Sequence, residues 1–447
     1  MKVSTPISDF LDGYAADGTA RFHMPGHKGK IPEDTFAKFD ITEIPGADSL
    51  YEADGIIKKS EENARSVFGS EATFYSTEGS SHCIRAMVYI AGLYAASKGL
   101  PNRKLAIRNA HKSFVTAAGL AGAEADWILP KNGGLLSGDI DLNEVESALK
   151  SKIYSSLFVT SPDYPGKIAG VRSLSEICNK YGVLLLVDNA HGAYLRFLPH
   201  DLHPVTNGAD ICCDSAHKTL PVLTGGAYLH FGKNAKVLAE HARSALSLFG
   251  STSPSYLILR SLDRANAVIS GDDWKQEIAR CAALCENAKG RLAEAGYGVY
   301  GDEPLKITLL TRQYGYSGAE VLDFLRKAGF ALEYADNDII VAMVTPFNTE
   351  SEILLLCEAL AALPKRDPLP RLAPEVTLPK RAMSIREALF AESEEIPVAD
   401  AYGRICAAPT VSCPPAVPCA VCGEIIDENV IANFKYHGVK KILAVRK

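Results

Sequence analysis

The stretch that decides the fold is Ser215-Ala216-His217-Lys218-Thr219, which directly follows the apolar run Ala209-Asp-Ile-Cys-Cys-Asp214. A second stretch of the same kind, Leu184-Leu-Leu-Val-Asp188-Asn-Ala-His191-Gly192, places Asp188 thirty positions before Lys218. In each stretch, polar residues come immediately after a strand-like apolar run. Ligand sites of parallel α/β sheets lie at the carboxyl ends of the strands, so these residues are candidates for one site.

Short apolar runs alternate with longer amphipathic segments from about residue 60 to residue 265. This alternation predicts an α/β fold whose mostly parallel central sheet is flanked by helices. His111 and Ser161 each follow a candidate strand, as Asp188 does. The candidate strands are Ala72–Ser76, Lys104–Arg108, Ser155–Thr160, Val183–Val187, Asp210–Cys213 and Ala227–Phe231.

The pattern changes twice towards the C-terminus. Long helical segments dominate from about residue 266, and five prolines between Pro364 and Pro379 exclude a continuous helix or central strand. Ser384-Ile-Arg-Glu387 then predicts a capping box that opens a further unit. We therefore predict an N-terminal arm (1–34), a large domain (35–265), a smaller α+β domain (266–365), a linker (366–380) and a C-terminal α+β domain (381–447).

Composition and charge argue against a protein that binds nucleic acid or a membrane. The 447 residues carry a net charge of −6, with both signs mixed along the chain, which gives no electrostatic footprint for nucleic acid or an anionic membrane. No apolar run approaches the roughly 18 to 20 residues of a membrane span, and the N-terminus lacks the pattern of a signal peptide. We expect a cytoplasmic protein with a small-molecule partner.

Eleven cysteines without a secretion signal indicate reduced thiols. Four of them lie close together and allow an alternative, a zinc site, but zinc sites usually pair two closely spaced couples, and only one Cys-x-x-Cys is present. We expect no metal. The four are Cys406, Cys413, Cys419 and Cys422.

Lys218 and Asp188 match two requirements of pyridoxal phosphate chemistry, a lysine that forms an imine and an acid at the pyridine nitrogen. Thr77-Glu-Gly79-Ser80-Ser81, between a candidate strand and helix, suits a phosphate cradle, and His111 could stack on the ring. Taken alone, each has a plainer interpretation. Lys218 could be a solvated lysine, Asp188 a helix N-cap, the glycine turn an ordinary helix start and His111 a loop residue.

Together, and in this order, the motifs resemble the ornithine/lysine/arginine decarboxylases, pyridoxal phosphate enzymes of fold type I. The resemblance implies a seven-stranded central sheet. The matching segments are Phe22-His-Met-Pro-Gly-His-Lys-Gly29, Gly46-Ala-Asp-Ser-Leu50, Thr77-Glu-Gly-Ser-Ser81, His111-Lys-Ser113, Ser161-Pro-Asp-Tyr-Pro-Gly166, Asp188-Asn-Ala-His-Gly192, Ser215-Ala-His-Lys218, Thr252-Ser-Pro-Ser-Tyr256, Ala401-Tyr-Gly-Arg-Ile405 and Pro414-Pro-Ala-Val-Pro418 with Gly423-Glu424.

The resemblance implies a role for each matching position. Lys218 would form the imine, Asp188 would hold the pyridine nitrogen and His111 would stack on the ring. The Ser251-Thr252 turn would approach the phosphate of a neighbouring subunit, which implies a homodimer with shared active sites. The residues implied around the phosphate are Gly79, Ser80, Ser81, Ser215 and His217, and those near the ring and imine are Ala190 and His191.

The chain departs from the usual family pattern at several positions, which puts the substrate in doubt. The departures are Glu78, Asn189, Tyr194, Thr224-Gly225-Gly226 and Ala416. The sequence as given also has no room for the N-terminal wing domain of the large members, so we do not expect their decameric assembly.

We predict α-decarboxylation of a basic amino acid, arginine, lysine or ornithine, to a polyamine or its precursor. Lys218 or His217 would return a proton to the α-carbon. Glu43, Asp48 and Glu424 are candidate partners for the cationic end of the substrate. Two alternatives stay open at this point: an aminotransferase or lyase on the same fold, and a catalytically silent subunit that binds the cofactor.

Overall fold

The computed structural model describes residues 2–131, 138–370, 373–411 and 417–447. Its largest sheet has seven strands in the order β1-β7-β6-β5-β4-β2-β3. The strands are β1 (Ala72–Ser76), β2 (Arg103–Ile107), β3 (Glu124–Ile128), β4 (Ser156–Thr160), β5 (Leu184–Asp188), β6 (Ile211–Asp214) and β7 (Ala227–Phe231). Strand β5 is parallel to β6, and β2 to β3, whereas β7 is antiparallel to both of its neighbours. The predicted seven-stranded, mostly parallel sheet is confirmed.

Smaller sheets follow in the C-terminal half of the chain. Four antiparallel strands lie in the order β10-β11-β9-β8, and two strand pairs come after them. The four strands are β8 (Gly298–Tyr300), β9 (Lys306–Leu310), β10 (Tyr334–Ala335) and β11 (Ile339–Met343). The pairs join β12 (Ser393–Pro397) to β15 (Lys441–Val445) and β13 (Thr410–Val411) to β14 (Ala420–Val421).

The described ranges contain α-helices α1 to α14, of which α10 is the longest. They are α1 (Pro6–Ala16), α2 (Ile56–Phe68), α3 (Gly79–Ser97), α4 (Lys112–Leu120), α5 (Leu142–Ser151), α6 (Val171–Tyr181), α7 (Ala216–Thr219), α8 (Ala242–Ser247), α9 (Tyr256–Ile269), α10 (Asp272–Glu294), α11 (Gly318–Lys327), α12 (Glu350–Ala361), α13 (Ile385–Phe390) and α14 (Glu428–Tyr436). Among these residues, no helix combines the length and the apolar character needed to cross a membrane.

Contact density divides the chain into two compact units. The first comprises Met1–Asn102, Ile153–Phe158 and Val171–Gln276, and the second comprises Arg103–Lys152, Val159–Gly170 and Glu277–Lys447. The first unit contains β1, β5, β6 and β7 together with α3 and α7. The second contains β2, β3, the four-stranded sheet and the C-terminal strand pairs. The domain boundaries proposed above follow the order of elements along the chain and stay predictions.

Burial explains why some strands were easy to predict. Every residue of β5, β6 and β7 is buried, as expected for strands covered on both faces, and such strands are apolar throughout. Strand β3 was missed because it is an edge strand whose residues Glu124, Asp126 and Trp127 are exposed or half-buried.

The predicted capping box at Ser384 is confirmed. Its hydroxyl oxygen accepts a hydrogen bond from the Glu387 backbone N–H, and the Glu387 carboxylate accepts one from the Ser384 backbone N–H. This reciprocal pair satisfies two of the unpaired N–H groups at the start of a helix, and α13 begins at Ile385.

Candidate active site

In the first unit, the segments that carry Asp188 and Lys218 leave neighbouring strands at the same edge of the sheet. Strands β5 and β6 are parallel, with Asp188 opposite Cys213. Asp188 is the last residue of β5, and Lys218 lies in the single turn of α7, just beyond the end of β6. The carboxyl ends of both strands therefore present their polar residues together.

Lys218 is only half-buried, and its Nζ lies 2.9 Å from Nε2 of His191. The His191 side chain is itself buried in the turn that follows Asp188. This contact places the Lys218 amine against the edge of the His191 ring. The hydrogen bond thus links the two segments that the sequence singled out.

Asp188 is buried, and desolvation raises its pKa to about 6, although the nearby Lys218 charge opposes the rise. Its Oδ1 accepts a 3.2 Å hydrogen bond from the Ala190 backbone N–H and lies 3.8 Å from the Cys213 thiol. The positive charge near the Asp188 carboxylate therefore does not offset the cost of burying it. A protonated heterocyclic nitrogen is the kind of partner that would keep it ionised.

The N-terminus of α3 lies in the same unit. Its first three residues are Gly79, Ser80 and Ser81, and the Ser215 hydroxyl donates a 2.7 Å hydrogen bond to Ser80 Oγ. Gly79 adopts a φ of +74°, and its N–H donates to the Gly225 carbonyl over 2.7 Å. Unpaired N–H groups and hydroxyls at a helix N-terminus make an anion site.

His217 precedes Lys218 in α7 and is half-buried. Its Nδ1 lies 3.2 Å from the Gly226 carbonyl, which requires a proton on Nδ1. Burial lowers the His217 pKa, although the Gly226 contact opposes this. The ring is therefore neutral near pH 7.

Two further cofactor candidates have defined places. His111 lies in the second unit, where it is the N-cap of α4 and accepts a 3.2 Å hydrogen bond from the Ser113 N–H at Nδ1. Thr252 is exposed in the first unit, and the preceding Ser251 N–H donates a 2.6 Å hydrogen bond to the Glu78 carboxylate. Their roles towards a cofactor stay predictions.

The three candidate acids for substrate binding differ in their surroundings. Glu43 is exposed, whereas Asp48 accepts 2.9 Å hydrogen bonds at Oδ2 from the N–H groups of Gly55 and Ile57 at the start of α2. Glu424 lies in the second unit and forms a bidentate pair with Arg108, at 2.6 and 2.7 Å. The structure therefore gives Asp48 and Glu424 structural partners, and Glu43 alone stands exposed to solvent.

The described cysteines of the C-terminal cluster contact backbone carbonyls. The Cys406 thiol lies 3.5 Å from the Ala408 oxygen, and the Cys422 thiol 3.9 Å from the Ile385 oxygen. Cys406 and Cys419 belong to the apolar core of this segment. Cys413 lies outside the described residues.

One cluster was missed by the sequence reading. His203, Asp214 and His230 lie together in the first unit, and all three side chains are fully buried. Asp214 ends the apolar run before Ser215, but nothing in the sequence connects it with His203 and His230, which lie 11 and 16 positions away. The available signal was His230, a polar residue in the middle of the otherwise apolar strand β7.

Comparisons with known proteins identify the family. The family profile for the Orn/Lys/Arg decarboxylase major domain matches residues 5–301, and the profile for the C-terminal domain of the same family matches residues 371–441. The arginine decarboxylase of Bacillus subtilis is 31% identical over 468 aligned residues, with 96% of this chain and 93% of the relative covered. The arginine decarboxylase of Halalkalibacterium halodurans is 30% identical, with 96% and 93% covered.

A solved structure supports the fold. The constitutive lysine decarboxylase of Escherichia coli superposes with a TM-score of 0.80, covering 99% of this chain and 82% of that chain, at 18% sequence identity. At this identity the superposition establishes fold type I and nothing finer. The two profile matches carry the assignment, and they span the major and C-terminal segments: the chain belongs to the Orn/Lys/Arg decarboxylase family and is a decarboxylase.

Proposed function

We propose that this decarboxylase uses pyridoxal 5'-phosphate to remove the α-carboxylate of a basic amino acid, with arginine as the preferred substrate. The observation that carries the proposal is the placement of Lys218 and Asp188 after two adjacent parallel strands. We propose arginine over lysine and ornithine because the relatives from Bacillus subtilis and Halalkalibacterium halodurans are arginine decarboxylases. The amine product would enter polyamine synthesis.

The residues of the first unit fit this cofactor. Asp188 is a buried carboxylate that is short of positive charge. A Cβ added at Gly79 would meet no atom within 4 Å, which leaves room beside the Ser80 and Ser215 hydroxyls for a phosphate. The buried Thr219 hydroxyl, one residue after Lys218, has no hydrogen-bond partner among the described residues. Each of these features suits a bound phosphate or ring.

Each residue would have a distinct task. Lys218 Nζ would hold the cofactor aldehyde carbon, and Asp188 would hold the pyridine nitrogen in its protonated form. The N–H groups of α3, with Ser80, Ser81 and Ser215, would hold the phosphate. The bound cofactor supplies a ring that accepts the electron pair left when CO₂ departs.

Proton transfer falls to groups of the chain. Lys218 Nζ, placed by its 2.9 Å contact with His191 Nε2, is one donor to the α-carbon. His217 Nε2 is the other, and it donates only from the doubly protonated ring, because the single proton of the neutral ring lies on Nδ1. His217 Nδ1 is fixed by the Gly226 carbonyl, so Nε2 is its titrating nitrogen. A donor held on a rigid turn returns the proton to one carbon.

We also propose a cytoplasmic homodimer with shared active sites. Thr252 supports a shared site, because it is exposed while Glu78 holds the N–H of the neighbouring Ser251. The cysteines in the described ranges are buried, which suits a reducing compartment.

The test is an amino-acid panel. Purified protein supplied with pyridoxal phosphate is incubated with arginine, lysine, ornithine or leucine, and CO₂ and the amine are quantified. We expect CO₂ and the matching amine from arginine above all, and none with Lys218→Ala. No CO₂ from any basic amino acid would contradict the proposal, and pyridoxamine with a keto acid would identify an aminotransferase instead.

A further inference from the structure

The buried cluster of His203, Asp214 and His230 has no part in the chemistry described so far. Both imidazoles contact the same carboxylate oxygen of Asp214, His203 Nε2 at 2.9 Å and His230 Nε2 at 3.2 Å. Asp214 ends β6 and directly precedes Ser215, while His230 lies on the neighbouring strand β7. The cluster is therefore adjacent to Ser215, one of the residues assigned to the cofactor phosphate.

The contact made by Nδ1 of each ring indicates which ring nitrogen carries the proton. The Val205 N–H donates to His203 Nδ1 over 3.3 Å, so this nitrogen carries no hydrogen and Nε2 carries it. The Thr73 hydroxyl lies 2.8 Å from His230 Nδ1 and can donate in the same sense. In this arrangement both Nε2 atoms donate to Asp214. A metal would need the Nε2 lone pair of His203, which the Val205 contact disfavours.

Asp214 consequently keeps its negative charge although it is buried. Burial by itself would raise the Asp214 pKa, but the two imidazoles outweigh it and lower that pKa. Burial lowers the His230 pKa, which keeps this ring neutral. A carboxylate with several donors is stable in its ionised form even without solvent.

This charge is connected to the cofactor candidates through Asn189. The Asn189 amide donates a 2.7 Å hydrogen bond to Asp214 Oδ1, and the Asn189 backbone N–H donates to the Cys213 carbonyl over 2.9 Å. Asn189 follows Asp188 in the chain. Asp214 thus fixes the turn that carries Asp188 and His191.

We propose that His203, Asp214 and His230 are positioning residues for the cofactor site: the fixed charge of Asp214 holds Asn189 in place and, from beside Asp188, stabilises the protonated pyridine nitrogen. This inference rests on the proposed function. Asp214 also acts on Asp188 directly, because the like charge makes the Asp188 carboxylate more basic. The titratable groups around Asp214 are His203, His230, Asp188, Cys83, Cys212, Cys213 and Tyr228.

The test compares Asp214→Asn with the wild type, each reconstituted with pyridoxal phosphate labelled with ¹⁵N in the ring. The ¹⁵N chemical shift of the pyridine nitrogen is followed against pH by solid-state NMR, and cofactor affinity is measured by equilibrium dialysis. With the charge removed, we expect the nitrogen to lose its proton about one pH unit lower and the affinity to fall on the order of tenfold.

Asp263→Asn is the matched control. Asp263 is a buried carboxylate of the same unit, bonded by the Ser60 hydroxyl at 2.6 Å and the Ser8 N–H at 2.8 Å. We expect this variant to lose stability but to keep the wild-type ¹⁵N midpoint, which separates positioning from a general structural role.

The following results would overturn the inference. An unchanged midpoint and affinity in Asp214→Asn would do so, and so would a stoichiometric metal in the wild type that Asp214→Asn lacks. If Asp214→Asn does not fold, His230→Asn serves instead, with a smaller shift expected in the same direction and no shift contradicting it. A wild type that binds no cofactor would remove the proposed function and this inference with it, whereas the first two results leave the proposed function intact.

Discussion

In the ligand-free protein, the ionised Asp188 carboxylate is buried away from water. Its burial lowers the free energy of unfolding at pH values where the carboxylate is ionised. Its pKa in the folded state is about 6, above the ordinary value of 3.8. The folded state therefore binds more protons than the unfolded state between about pH 4 and pH 6. Ionised Asp188 destabilises the ligand-free protein above this range and not below it.

The destabilising effect of ionised Asp188 leads to a first prediction. Without cofactor, Asp188→Asn is expected to be more stable than the wild type at pH 8, by about 1 to 3 kcal/mol, because the amide carries no charge. The gain should shrink as the pH falls below 6 and vanish near pH 4. Urea unfolding at a series of pH values measures it. A variant that is less stable than the wild type at pH 8 would refute the assigned environment of Asp188.

At the scale of elements, the N-terminus of α3 is the proposed phosphate site. Ser80→Ala removes the hydroxyl that pairs with Ser215 and is expected to weaken cofactor binding on the order of tenfold, which is the effect of one hydrogen bond to a charged group. Ser97→Ala, at the other end of the same helix, is the control. Its hydroxyl donates only to the Tyr94 carbonyl. Equal affinities in the two variants would exclude α3 as the phosphate site.

Elements were predictable where one local signal decided them. Strands β1 and β7 were predicted with their observed bounds, and β2, β4, β5 and β6 to within one residue at either end. The edge strand β3 was missed, because only two of its five residues are buried and Glu124 and Asp126 interrupt its apolar pattern.

Side-chain pairs between distant segments were less predictable. The order of motifs identified Lys218 and Asp188, because each follows a buried strand. It did not reveal the contact of Ser80 with Ser215, or the meeting of two histidines at Asp214. Such pairs depend on which strands become neighbours, and a single sequence does not encode that locally.

At the scale of the whole molecule, a buried ion pair joins two distant parts of the second unit. Arg108 follows β2, and its fully buried guanidinium binds Glu424 and donates to the Pro418 carbonyl over 3.0 Å. The pair attaches the C-terminal segment to the rest of its unit. Glu424 therefore has a structural partner, and its role as a substrate ligand stays a prediction.

Glu424→Gln is therefore expected to lower the free energy of unfolding by about 3 kcal/mol or more, since it leaves the buried Arg108 without a counter-charge. Glu392→Gln, in an exposed pair with Arg446, should cost less than about 1 kcal/mol. Urea unfolding compares the two. Normal stability with a raised KM for the basic amino acid would instead support Glu424 as a substrate ligand.

The central claim is that Lys218 anchors pyridoxal phosphate in this decarboxylase, and chemical labelling tests it most directly. The protein supplied with cofactor is reduced with borohydride and digested, and the peptides are mapped by mass spectrometry. We predict a phosphopyridoxyl group on Lys218 and none on other lysines in stoichiometric amount. A label on a different lysine, or no stable label at all, would contradict the account.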